Sequence, residues 1–87
     1  MSQVHLYLYG TYACHLCEQA EALLLPLVEQ GYTVVELIDI SEDESLLERY
    51  GVRIPVLGGR DLDGNWQELP WPFAQEDLWQ WYTRFNK

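Results

Sequence analysis

Val4-His5-Leu6-Tyr7-Leu8-Tyr9-Gly10-Thr11-Tyr12-Ala13-Cys14-His15-Leu16-Cys17 is the stretch on which the fold turns. Val4, Leu6 and Leu8 take one side of an extended segment, and His5, Tyr7 and Tyr9 the other. Neither side is strongly polar, the pattern of a central strand covered on both faces. Gly10 and Thr11 break that strand. A helix is predicted from about Cys14 to Gln30, its apolar stripe being Leu16, Ala20, Leu23, Leu24 and Leu27 at i, i+4, i+7, i+8 and i+11. Gly31 stops it. Pro26 lies inside, where it removes a backbone bond and clashes with the preceding turn, so a kink is expected near Ala22.

Outward from this unit, Thr33 to Ile40 is β-branched and apolar, a second strand. Ser41 and Glu44 have capping-box spacing for a short helix carrying Leu46, Leu47 and Tyr50 and closed by Gly51. Strand, helix and strand in succession imply a right-handed βαβ unit with parallel strands. Arg53 to Leu57 is predicted as the third strand. Gly58-Gly59-Arg60-Asp61 and Asp63-Gly64-Asn65 then read as turn chemistry, and Trp66 to Leu69 returns as the fourth strand of an antiparallel hairpin. Pro70-Trp71-Pro72 ends the hairpin. The last helix, about Gln75 to Phe85, buries Ala74, Leu78, Trp81, Tyr82 and Phe85 by spacing. The order βαβαββα describes an α/β chain with a four-stranded mixed sheet flanked by helices.

Eighty-seven residues allow one core, hence a single domain over 1–87, with roughly 60–65% of the chain's surface buried. A 48% hydrophobic content is too high for a disordered acidic tail. No run approaches the ~18 apolar residues of a membrane span, and Met1-Ser2-Gln3 leads into no secretory signal. A cytoplasmic protein with no membrane partner is the expectation. Fourteen acids against five bases (Arg49, Arg53, Arg60, Arg84 and Lys87) argue against nucleic acid as a partner, since phosphate binding needs a cationic face. A monomer is expected, with Trp79, off the helix stripe, as the aromatic to watch for contacts.

The two cysteines, too few for a disulfide scaffold, form C-x-x-C beside a βαβ pattern, which reads as a redox motif. Cys14 stands where strand passes to helix, so its sulfur faces unpaired N–H groups and the positive end of the dipole. Both favour the thiolate, the nucleophilic form. Cys17, one turn on and at the edge of the apolar stripe, is placed to attack a mixed disulfide at Cys14. Position therefore makes Cys14 the attacking thiol and Cys17 the resolving one. Zinc needs four ligands, and only His5 and His15 could join the pair, so no metal is expected within the chain. A metal or iron–sulfur cluster shared between subunits is the alternative, in a binding module rather than an enzyme; two inert buried cysteines are another. Ile54-Pro55 interrupts a strand and is a candidate cis peptide.

Strand, C-x-x-C, helix, strand and then Tyr50-Gly51-Val52-Arg53-Ile54-Pro55-Val56-Leu57 resembles the thioredoxin superfamily. The short βαβαββα order resembles glutaredoxins in particular. Glu68-Leu69-Pro70-Trp71-Pro72-Phe73, before a final amphipathic helix, resembles a group of small bacterial glutaredoxin-like proteins. The resemblance covers nearly the whole chain and implies a thiol–disulfide oxidoreductase. It matches Cys14 to the nucleophile, Cys17 to the resolving cysteine and Pro55 to the cis-proline beside the disulfide, and it puts Tyr12 where the family lines its substrate. His15, Arg53 and Ile54 join the candidate substrate-binding residues. Arg53 is read either as a partner for a glutathione carboxylate or as a solvated arginine at a strand start. No cofactor is implied beyond the redox-active disulfide. Glutathione is a candidate co-substrate, and a protein or low-molecular-weight disulfide is the implied partner.

The chain also departs from the glutaredoxin pattern. His15-Leu16 replaces the common Pro-Tyr between the cysteines. Gly10-Thr11-Tyr12-Ala13 lacks the basic residue often found ahead of the motif. Leu69-Pro70-Trp71-Pro72-Phe73 stands where glutaredoxins place the Gly-Gly and Asp of their glutathione site, and Gly58-Gly59 falls one strand too early to supply it.

Overall fold

The computed structural model describes residues 3–12 and 14–85; Ala13 and the margins of the expected 1–87 domain lie outside the described residues. The elements are β1 (Val4–Gly10), α1 (His15–Glu29), β2 (Thr33–Asp39), α2 (Glu44–Tyr50), β3 (Val56–Arg60), β4 (Trp66–Pro70) and α3 (Gln75–Tyr82). They form the α/β fold expected, a four-stranded mixed sheet in the order β2-β1-β3-β4 with three helices. β1 and β2 are parallel, Val4 opposite Thr33 and Gly10 opposite Asp39. β3 runs antiparallel to both β1 and β4.

Side-chain alternation sorts the core onto two faces. Leu6 and Leu8 of β1 and Leu57 of β3 pack with Ala20, Leu24 and Leu27 of α1 and with Leu78, Trp81 and Tyr82 of α3. This is the main core, and each leucine fully buried there contributes roughly 1.5–3 kcal/mol. The neighbouring residues point the other way: Val56 joins Ile40 and Tyr50 in a small second core, with Tyr9, Leu46 and Ile54 against it. α2 therefore covers only one end of the opposite face.

Local chemistry explains most of the boundaries. Gly31, at φ +78°, turns the chain out of α1 while its N–H reaches the Val28 carbonyl. The apolar stripe of α1 begins at buried Cys17; Leu16, expected on it, is exposed. The helix continues through Pro26, whose carbonyl accepts from the Gln30 N–H at 3.1 Å. Ser41 does not cap α2. Asp43 does, accepting from the N–H groups of Ser45 and Leu46, while Ser41 is held by the Asp39 carboxylate.

β3 begins three residues later than expected and runs through both glycines. Gly58 and Gly59 are buried strand residues rather than turn residues, because neighbouring side chains occupy the space of their missing Cβ atoms. A Cβ on Gly58 would lie 2.5 Å from the Trp66 ring, and one on Gly59 2.8 Å from Leu6 Cδ2. The turn proper starts at Asp61, whose carboxylate accepts from the N–H groups of Asp63 and Asn65, with Gly64 at φ +84°. α3 ends at Tyr82; Phe85 is buried beyond it and Ala74 is exposed before it, its N–H donating to Asp77. Trp79 is 38% exposed, as its position off the stripe suggests. No helix among the described residues is long and apolar enough to cross a membrane.

Candidate active site

Cys14 is the N-cap of α1, with extended backbone (φ −91°, ψ 104°). A helix start leaves N–H groups unpaired, and Cys14 Sγ takes the place of a capping oxygen, accepting from the Cys17 N–H at 3.1 Å. The two cysteines are joined as a disulfide, with their Cα atoms 5.2 Å apart. Cys14 is half-buried and Cys17 is 6% exposed, the order that their helix positions imply. Beneath them lies Gly10, where a Cβ would meet Cys17 Sγ at 2.5 Å.

Residues on either side of Cys14 are open to solvent. Tyr12 is 95% exposed, and Leu16 is exposed as well. His15 projects outward and meets Glu18 at 3.6 Å, both side chains well solvated. A cavity of about 220 Å³ adjoins Cys17, bounded among others by Gly10, Thr11, Tyr12, Glu21 and Leu37. A larger, open concavity of about 930 Å³ lies over the uncovered part of the sheet, lined by His5, Tyr7, Arg60 and Trp66, and contains neither cysteine.

Pro55 is buried at the start of β3. The Ile54–Pro55 peptide is cis, as is Trp71–Pro72, and the Pro55 carbonyl accepts from the Trp71 N–H at 3.1 Å. Val56 pairs with Tyr9, the residue before Gly10, so Pro55 and the disulfide share one end of the sheet. Tyr12, His15, Cys14, Cys17, Ile54 and Pro55 are thus all at or beside that end. Arg53 lies in the turn before β3 rather than at a strand start, and it is not a free solvated arginine: its guanidinium donates to Glu68 at 3.0 Å.

Glu68 is the residue that sequence reasoning passed over. It also accepts from the Tyr50 hydroxyl at 2.6 Å and from Trp66 Nε1 at 2.9 Å, and Arg49 lies 3.8 Å away. Burial works to raise the Glu68 carboxyl, but donation from Tyr50, Trp66 and Arg53, with the charge of Arg49, holds it below the usual carboxylate range. Burial, and then the adjacent carboxylate, push Tyr50 up to about 12. The one signal in sequence was the i, i+2 spacing of Trp66 and Glu68, which places both on one face of β4.

The sequence matches the Glutaredoxin-like domain (DUF836) over residues 5–82. The chain belongs to this family. Among solved structures, the target protein XcR50 from X. campestris is 38% identical over 90% of this chain and 95% of its own, with a TM-score of 0.71. An asparagine-to-glutamine mutant of thioredoxin from Halobacterium salinarum NRC-1 is 25% identical over 99% of this chain and 78% of its own, with a TM-score of 0.70. A malarial protein, 14% identical with a TM-score of 0.72 over 99% of this chain and all of its own, shares the fold. No curated protein matches the sequence. Membership of the thioredoxin superfamily, as a glutaredoxin-like protein, agrees with the order of strand, C-x-x-C, helix and proline-led strand seen here.

Proposed function

We propose that this glutaredoxin-like protein is a dithiol–disulfide oxidoreductase of the cytoplasm, with Cys14 as nucleophile and Cys17 as resolving thiol. The observation that carries the reading is Cys14 at the N-cap of α1, its sulfur receiving the Cys17 N–H while Cys17 stays buried behind it. Helix N–H groups and the positive dipole end favour the Cys14 thiolate over the thiol. That thiolate attacks one sulfur of a substrate disulfide, forming a mixed disulfide and releasing the other sulfur as a thiolate. Cys17 then loses its proton to solvent and attacks Cys14 Sγ. The second substrate thiolate leaves, the Cys14–Cys17 disulfide forms, and two electrons have passed to the substrate. An external dithiol or glutathione restores the reduced pair, and no other cofactor takes part.

Tyr12, His15 and Ile54 form the rim that a protein or low-molecular-weight disulfide would meet, with Pro55 buried next to Ile54 in the chain. Pro55 has no N–H to offer, and it lies at the end of the sheet that also carries the pair. Alkylation of the fully reduced protein across a pH series, with each thiol identified by mass, tests the assignment. Cys14 should react first, with a thiolate midpoint below the ~8.5 of an unperturbed cysteine. Cys17→Ser should accumulate a mixed disulfide with substrate, and Cys14→Ser should not. If Cys14 reacts at neutral pH no faster than an ordinary cysteine, the mechanism fails.

A further inference from the structure

Two guanidinium groups flank Tyr50, ahead of the turn that leads to the cis-proline, and one carboxylate engages both. Arg53 precedes Pro55 by two residues, and Arg49 lies in the last turn of α2. They sit 5.7 and 5.5 Å from the centre of the Tyr50 ring. Glu68 reaches Arg53 through Oε1 and turns Oε2 toward Arg49, Tyr50 and Trp66. With hydroxyl and indole donors holding Oε2, the carboxylate cannot swing away from the arginines. Arg60 and Arg84 are committed to the hairpin, to the Gly64 carbonyl and to Gln67. The acids Glu18, Glu21 and Asp39 stand on the disulfide side, Glu21 and Asp39 lining the cavity beside Cys17. An anion approaching this end therefore meets arginines already neutralised in part and a protein of net charge −9.

We infer that Glu68 determines substrate specificity: by holding Arg53 and Arg49 as its own counter-ions, it turns the site away from carboxylate-bearing low-molecular-weight disulfides and toward uncharged or cationic ones. The inference rests on the oxidoreductase reading above and names the substrate class of that site. Glu68 acts as a positioning residue, through the two arginines, and takes no part in the exchange step. Arg53 keeps 45% of its side chain exposed, so once released its guanidinium is open to an incoming carboxylate.

The test compares two disulfides on the reduced protein, anionic glutathione disulfide and uncharged hydroxyethyl disulfide, by rate of oxidation in rapid-quench alkylation. In Glu68→Gln the ratio of the glutathione rate to the hydroxyethyl rate should rise about five-fold, a change of the size expected for one unscreened charge near an approaching anion. High salt should cancel the gain, and so should adding Arg53→Gln. An unchanged or lower ratio, in a Glu68→Gln protein that still reacts with hydroxyethyl disulfide, overturns the inference. Should Glu68→Gln fail to fold, Arg53→Gln alone decides. A ratio within about two-fold of wild type supports the assignment, whereas a larger loss shows that Arg53 already serves anions and overturns it. If reduced wild-type protein reacts with neither disulfide, the oxidoreductase reading itself falls and this inference with it. That result is distinct from reaction with both at an unaltered ratio.

Discussion

Gly10 occupies the point where β1 gives way to the cysteine loop, and its missing side chain is the space that Cys17 fills. A methyl group there would stand 2.5 Å from Cys17 Sγ and 3.4 Å from its Cβ. Neither neighbour is the free end of a flexible chain, so the helix start must shift. Gly10→Ala should destabilise the protein by about 1–3 kcal/mol, as overpacking does elsewhere, and should expose Cys17 to faster alkylation. Urea denaturation and thiol mapping of the reduced protein measure the two effects, and an unchanged Cys17 rate would show that the contact relaxes freely. In the sequence Gly10 is legible only as a strand breaker, since its second role depends on a residue seven positions on. The cap of α2 differs from the expected Ser41: Asp39 holds Ser41, and Asp43 caps the helix instead.

Among the elements, α1 carries an internal contradiction. Pro26 denies the Ala22 carbonyl its usual donor, yet the helix spans His15–Glu29 because Ala20, Leu24 and Leu27 are buried against the sheet on either side of it. Replacing Pro26 with Ala restores the donor and improves helix propensity, so Pro26→Ala should stabilise by about 1–3 kcal/mol and raise the thermal midpoint. A lowered midpoint would mean that packing of the half-buried ring outweighs the missing bond. β3 teaches the complementary lesson. Two adjacent glycines are ordinary breakers, and the sequence pattern ends the strand before them. The Trp66 ring on Gly58 and the Leu6 side chain on Gly59 turn them into strand positions that only glycine fits.

At the scale of the whole molecule, the Tyr50–Glu68 pair ties α2 to β4 across the end of the sheet and makes stability depend on pH at both extremes. The folded Glu68 carboxyl titrates below its ordinary value. Its ionised form therefore contributes stability that is present above the usual carboxylate range and lost as pH falls through the folded value. Asp43 and Asp61, lowered chiefly by hydrogen bonds to Ser45 and Asn65, share that acid limb. Tyr50 runs the opposite way. Its neutral form contributes stability fully present below pH 10.0 and lost as pH rises toward about 12. The thermal midpoint should decline on both sides, with Glu68→Gln flattening the acid limb and Tyr50→Phe the alkaline one. Equal slopes in wild type and variants would remove the pair from the account.

The class of the fold, the order of its elements and the place of the cysteine pair are written in the chain, because periodicity and strand-to-helix junctions are local properties. That Gly58 and Gly59 belong to a strand, that Gly10 backs Cys17 and that Arg53 is held by Glu68 emerge with the folded chain. Each of those is a contact between segments far apart in the chain or across a turn, and such contacts exist only once the sheet has brought its strands into register.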